Sequence, residues 1–215
     1  TEGDNMKIII FWLVLIVGMV ALIGSCAKED DSAATTTTTS KTNTTPSGSI
    51  TMGDYTVSGV YVTGCMTSGV STFIAAGAFP SDAQSYGFAF VVTGDDNITT
   101  ETHTFTDTGC TTTSYINKLV RDNVTVGTAS GANYPVTYNA TGFKWTVNTT
   151  TAETFLETLY SSINLDLTVG TEKFNASTGS LAYNLVTPGD TTIYLGSESS
   201  SAAPSTVGAL VYTKE

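Results

Sequence analysis

The stretch Phe88-Ala89-Phe90-Val91-Val92-Thr93-Gly94-Asp95-Asp96-Asn97-Ile98-Thr99-Thr100-Glu101-Thr102-His103-Thr104-Phe105 carries the period of an antiparallel hairpin. Successive side chains of an extended chain point to opposite sides, so Phe88, Phe90 and Val92 share one face and Ala89 and Val91 the other. Gly94-Asp95-Asp96-Asn97 joins residues that tolerate left-handed backbone angles, which predicts a turn. Residues 98–106 resume the extended pattern and put Glu101, His103 and Phe105 on one face.

The same alternation recurs on both sides of this hairpin. Strands are expected around Tyr55, Val57 and Tyr61, over 73–79 with Gly77 as an interruption, and over 114–121 and 124–128. Further strands are expected at Tyr134-Val136-Tyr138 and, after a turn at Ala140-Thr141-Gly142, at Phe143-Trp145-Val147. Leu165-Leu167-Val169, Leu181-Tyr183-Leu185, Ile193-Leu195 and Leu210-Tyr212 complete the set, with a turn at Pro188-Gly189-Asp190. One segment differs: Phe155, Leu156, Leu159 and Tyr160 follow helical spacing behind Thr150 or Thr151 as a cap, so one short helix is expected. About eight to ten short strands with frequent turns mean an all-β fold, either a single antiparallel barrel of about eight strands or a β-sandwich. Periodicity does not separate the two.

Residues 6–26 decide where this domain works. Lys7 precedes an apolar run over 8–23 that ends in Ile23-Gly24-Ser25-Cys26. A positive start, an apolar middle and small residues at the cut make a secretory leader. The run is shorter than the roughly 20 apolar residues a membrane-crossing helix needs, which disfavours a retained anchor. The segment resembles the lipobox of bacterial lipoproteins, with an aliphatic residue three before the cysteine and small residues between. That resemblance implies removal of residues 1–25, acylation of the Cys26 sulfur and a new N-terminus at Cys26, so the covalent lipid is the only attached group expected.

Residues 26–47 form a tether with five consecutive threonines, Thr35 to Thr39, and no aliphatic side chain larger than alanine. Such a segment cannot bury a core and should stay disordered, holding the domain at 48–215 away from a membrane. Formal net charge is −11, and residues 1–47 hold five acids and three bases, so the domain carries most of it. An acidic surface repels phosphate backbones and anionic headgroups, which excludes a nucleic-acid partner. Ala27 after Cys26, and Lys28-Glu29-Asp30-Asp31 after that, resemble the sorting signals of outer-membrane lipoproteins. The resemblance implies an outer-membrane, lipid-anchored protein on the periplasmic face or the cell surface.

Three cysteines leave Cys26 odd, while Cys65 and Cys110 each follow a strand-like segment and a glycine. In an exported chain these two are expected to form a structural disulfide. Tyr61-Val62-Thr63-Gly64-Cys65, then Phe105-Thr106-Asp107-Thr108-Gly109-Cys110, and the closing Leu195-Gly196, Pro204 and Tyr212-Thr213-Lys214 resemble a group of uncharacterised bacterial lipoproteins with a lipocalin-like (calycin) barrel. Tyr61 stands where that group has tryptophan, and the lipocalins' own G-x-W signature is absent. The resemblance implies a barrel that either fills itself or holds a small apolar ligand, for which Tyr61, Phe88, Phe90, Tyr138, Trp145 and Tyr183 are the candidate lining. Plain core packing is the competing role for these aromatics. A solid interior, lacking a pocket of about 300 Å³ or more, would remove the ligand-carrier version.

Catalytic chemistry finds no constellation. His103 is the only histidine, no G-x-S-x-G nucleophile turn occurs, and two cysteines with one histidine fall short of four zinc ligands. His103 is expected on a strand face, Glu153 and Glu157 on one exposed helix face, and Lys118 and Arg121 are too isolated for an anion patch. The expectation is therefore a monomeric binding module, with no enzyme activity and no metal. The competing class is a structural or adhesive surface protein that meets a surface partner through exposed loops such as 197–205.

Overall fold

The structure, a computed structural model, describes residues 42–215; Cys26, the apolar run and the tether up to residue 41 lie outside the described residues. A hairpin of β1 (Ile50–Met52) and β2 (Tyr55–Val57) precedes the barrel. The barrel strands are β3 (Val60–Val62), β4 (Ser85–Val92), β5 (Ile98–Phe105), β6 (Thr113–Val126), β7 (Tyr134–Val147), β8 (Glu172–Pro188), β9 (Thr192–Gly196) and β10 (Val207–Lys214). Each pairs antiparallel with its neighbour in the chain, and β10 returns to β3, so the sheet closes as an up-and-down barrel rather than a sandwich. Closure removes both exposed sheet edges, which open sheets must protect by other means.

The expected hairpin is β4 and β5, registered from Ser85↔Phe105 to Val92↔Ile98. Its turn closes where the Thr93 N–H donates to the Asn97 carbonyl at 2.9 Å. Gly48 crosses this turn with φ +66, and a Cβ there would meet the Gly94 carbonyl carbon at 2.6 Å. Only glycine passes so close in that conformation. The turn after β8 also forms, with the Gly189 N–H on the Thr192 carbonyl at 2.7 Å.

The expected turn at 140–142 is instead a bulge inside the continuous strand β7. Thr141 is the extra residue, and it shifts the alternation so that Tyr138 and Ala140, then Phe143, Trp145 and Val147, all face the lumen. A Cβ on Gly142 would stand 2.3 Å from the Phe174 ring, so the bulge also needs the missing side chain. Likewise the strands expected over 114–121 and 124–128 form a single strand, β6, which is interrupted by a register shift and ends at Val126.

Other expected features are corrected. Residues 70–75 are a short helix, α1 (Val70–Ala75), not part of a strand over 73–79. Helical spacing puts Val70 and Phe73 on one side, and Phe73 meets Phe79 and Tyr86 edge-on at 5.0 and 5.5 Å. The expected helix forms as α2 (Thr150–Leu159), capped by the Thr149 hydroxyl accepting from the Ala152 N–H at 3.0 Å, one residue earlier than the expected caps. Leu165 and Leu167 are buried against α2 but lie in irregular chain, where the Leu167 N–H donates to the Glu157 carboxylate at 2.9 Å. That contact also leaves Glu157 half-buried rather than on an open face.

Two plugs close the barrel. The β1–β2 hairpin sets Ile50, Met52 and Val57 among Tyr61, Phe90, Ile98, Val136 and Ile193 at one end. At the other end α1 packs on Tyr86, and α2 packs Ala152, Leu156 and Tyr160 on Tyr115, Trp145 and Val147. Cys65 and Cys110 are bridged, stapling the chain after β3 to the loop after β5. Asp107 organises that loop by accepting the N–H groups of Gly109, Thr111 and Thr112 at 2.8, 3.1 and 2.6 Å. The Thr111 amide and its fellow donors hold this carboxyl far below the usual aspartate range.

The bridged cysteines are 45 residues apart, and for that separation the loop-entropy relation predicts about 4 kcal/mol. The Cys65→Ser/Cys110→Ser double variant should lose up to that amount, read as a lower denaturant midpoint with a steeper slope, because the denatured chain without its crosslink exposes more surface.

Candidate functional site

Register defines the lumen. Phe90 pairs Thr100, Thr102 pairs Asn117, Asn117 pairs Trp145, and Tyr138 pairs Ala182, so these side chains share the inner face of β4 to β8. Of the candidate lining residues, Tyr61, Phe90, Tyr138 and Trp145 are buried in the interior. Phe88 also faces inward but is half-buried. Tyr183 alternates with the inward Ala182 and Asn184 and so stands on the outer wall, where its backbone pairs with Ser199. Five of the six are thus brought to one lumen, at different levels, and Tyr183 is not among them.

At the hairpin end the lumen is almost filled. Ile50, Met52, Phe90, Ile98, Val136 and Tyr138 contribute to the wall of a cavity of about 30 Å³. That is room for about one water molecule and an order of magnitude below a ligand pocket. At mid-height the packing loosens: Phe88, Thr102, Leu119 and Phe143 all point inward yet are only half-buried. Nearer the helices, Thr104, Tyr115, Asn117 and Trp145 are buried, and each leaves a side-chain polar atom without a hydrogen-bond partner. Burial raises the Tyr115 hydroxyl well above the ordinary phenol range, and the carboxylate of Asp82 adds to this, so it remains a donor at neutral pH.

Arg121 points into the lumen one inward position from Leu119 and, with Thr100, Tyr138 and Asn184, also lines the 30 Å³ cavity of the hairpin end. Its Nε and Nη2 donate to Oε2 of Glu198 at 3.0 and 2.6 Å, and Nη1 donates to the Thr100 hydroxyl and the Leu119 carbonyl. The Tyr138 hydroxyl donates to the same Glu198 oxygen at 2.5 Å, while the guanidinium lies 5.0 Å over the Tyr138 ring. Asn184 completes the ring from β8, its Nδ2 reaching the Tyr138 hydroxyl at 3.4 Å. Burial alone would disfavour the charge on Arg121; Glu198 and Tyr138 outweigh it and raise the guanidinium's affinity for its proton. Burial pushes the Tyr138 hydroxyl up as well, with Glu198 opposing its ionisation against the pull of Arg121. Sequence reasoning set Arg121 aside as isolated, because its partner lies 77 residues away in the segment 197–205. Nothing local in the sequence joins them.

A second polar assembly sits on the outer wall. By register Glu101 and His103 face outward with Lys118 and Ile116, yet all four are buried. Oε2 of Glu101 is 2.6 Å from Nε2 of His103, and Oε1 accepts the hydroxyls of Thr42, at 2.8 Å, and of Thr44. Lys118 pairs with Glu172 at 2.6 Å. The tether's last residues therefore lie against the barrel, with Ser47 bridging to Thr93, instead of running free up to residue 47. Among the described residues no cluster of three or more His, Cys, Asp and Glu side chains could hold a metal ion.

An open groove of about 740 Å³ runs between α1 and α2, bordered by Ile74, Phe79, Thr154, Phe155 and Leu159. No family model matches this chain, and no curated protein sequence matches it.

Removing one partner of a buried ion pair leaves an uncompensated charge, at a cost of about 3–5 kcal/mol. Arg121→Met should lose that much in urea denaturation, and adding Glu198→Gln should restore part of it. The Glu101 site predicts a pH effect. Burial there opposes ionisation, but His103 and then Thr44 and Thr42 outweigh it and hold the carboxyl below its ordinary value of 4.5. A depressed folded value means stability that is present above the ordinary glutamate range and lost as pH falls through the folded value. Wild-type stability should therefore fall more steeply than that of Glu101→Gln as pH drops below about 4.5, measured by denaturant midpoints across a pH series.

Proposed function

We propose that this chain is a lipid-anchored bacterial lipoprotein whose leashed β-barrel takes up a small ligand at mid-lumen. Cys26 carries the lipid, and the tether spans from it to Thr42, where hydrogen bonds to Glu101 bring the leash against the outer wall. The site of action is the outer membrane, on its periplasmic face or outside the cell. The observation that carries the ligand reading is the inverted burial at mid-height, where inward Phe88, Thr102, Leu119 and Phe143 are more exposed than outward Glu101, Ile116 and Lys118. A self-filled core has the opposite order.

The competing reading, an inert structural or adhesive scaffold, is favoured by the 30 Å³ cavity at the hairpin end and by Phe174 and Leu181, which are 52 and 50% exposed on β8. A thermal-shift screen of the folded domain with small apolar molecules distinguishes the two. A carrier at a hundredfold excess of ligand over Kd gains about 2.7 kcal/mol, a rise of several degrees. Unmoved melting across the screen favours the scaffold. Mass spectrometry of the protein from its native membrane should find Cys26 as an acylated N-terminus; an unmodified residue 26 would remove the leash.

A further inference from the structure

We propose that Arg121 and Tyr138 form the head-group site for a small monocarboxylate, that Glu198 occupies this site in the resting barrel, and that the segment carrying Glu198 moves out when such a ligand enters. The inference rests on the reading of the barrel as a ligand carrier and names the chemical class of what it carries.

The first argument is the origin of the carboxylate. Arg121, Tyr138, Thr100 and Asn184 stand on four neighbouring barrel strands, β5 to β8, and are fixed by the ladders. Glu198 does not belong to the ladders. It lies in the connection between β9 and β10, and its segment touches the sheet through the pair Tyr183 and Ser199, with backbone hydrogen bonds of 2.8 and 2.9 Å. Pro204 packs on Gly196 at the edge of the same connection, where a Cβ would meet its ring at 2.7 Å. A segment held by so few backbone bonds opens at a lower free energy than the strands beside it.

The second argument is chemical equivalence. A ligand carboxylate replacing that of Glu198 would receive the same donors, Nε and Nη2 of Arg121 and the Tyr138 hydroxyl. Charge and hydrogen bonds are conserved across the exchange, so the balance reduces to opening the segment against burying the rest of the ligand. A neutral ligand of the same shape would leave the guanidinium buried and unpaired, which is the strongest basis for rejecting it.

The third argument is the lumen beside the site. Leu119 is two residues from Arg121 on the same face of β6, and with Phe88, Thr102 and Phe143 it marks the loosely filled level. Beyond it the inward-facing residues Thr104, Asn117 and Trp145 each carry a buried polar atom without a hydrogen-bond partner. A finished apolar core has neither feature, whereas a chamber for the remainder of a ligand has both.

Octanoate and its neutral counterpart octan-1-ol provide the test, titrated calorimetrically into wild type, Glu198→Gln and the double variant Arg121→Met/Glu198→Gln. Gln keeps the size and hydrogen-bonding reach of Glu198, so Glu198→Gln retains partners for Arg121. It should bind octanoate about tenfold or more tightly than wild type, a difference of about 1.4 kcal/mol. Octan-1-ol should bind it more weakly than octanoate, and the double variant should lose that preference. In wild type, saturating octanoate should speed hydrogen exchange at the Ser199 amide. Equal octanoate affinity in wild type and Glu198→Gln, or unchanged exchange at Ser199, overturns the proposal. Octan-1-ol binding as well as octanoate also overturns it while leaving the carrier reading intact. If neither molecule binds any of the three proteins, both the proposal and the carrier reading are removed.

Discussion

The return of β10 to β3 is the contact on which the rest of the structure depends, and it is narrow. Two register pairs, Thr213↔Val62 and Lys214↔Tyr61, close the ring, extended by the Glu215 N–H on the Val60 carbonyl at 3.0 Å. Lys214 reinforces the seam by lying 5.6 Å over the Tyr61 ring and reaching the Ser58 hydroxyl at 3.2 Å. An eight-stranded barrel has an interior just wide enough for side chains or one small ligand. Closure is therefore what makes the inner face a lumen, and what removes water from Arg121, Tyr138 and Asn117.

Two polar assemblies follow from that closure, in opposite settings. Inside, the Arg121–Glu198–Tyr138 group lies in a low-dielectric interior, where an ion pair is strong but its removal is costly. Outside, Glu101 and His103 would face solvent on a bare barrel wall. They are buried, and Thr42 and Thr44 hydrogen-bond to the carboxylate. The segment before the barrel thus contributes to it directly, since the hydroxyls of Thr42 and Thr44 stabilise a charged group on the wall. Both assemblies join residues distant in the chain, at separations of 77 for Arg121 with Glu198 and 59 for Thr42 with Glu101.

Much of the architecture was legible in the chain because it rests on local periodicity. Phe88, Phe90 and Val92 alternate as expected, and the turns at 94–97 and 188–190 follow from the backbone tolerance of Gly, Asp and Asn. The pairing of Cys65 with Cys110 followed from parity and compartment. The segment Phe105-Thr106-Asp107-Thr108-Gly109-Cys110 has a physical meaning, since Asp107 caps the loop that presents Cys110. Features set by neighbours in space were not legible. Residues 70–75 became a helix because Phe73 packs on Tyr86 and Phe79, and Ala140-Thr141-Gly142 became a bulge because the β7 strand continues on both sides with partners of its own. Tyr183 fell on the outer wall because the register of β8 against β7 places Ala182 and Asn184 inside.

The amino-acid sequence by itself determined an all-β chain with a short helix after Thr149, a disulfide between Cys65 and Cys110, and the two strands and turn of the central hairpin. These depend on which side of an extended backbone each residue occupies and on which residues accept a turn. Only the tertiary structure decided that the sheet closes, which aromatic residues face the lumen, and that Arg121 meets Glu198. Closure and long-range pairing depend on strand register and bulges, whose one-residue shifts reverse a side chain's face without any trace in local composition.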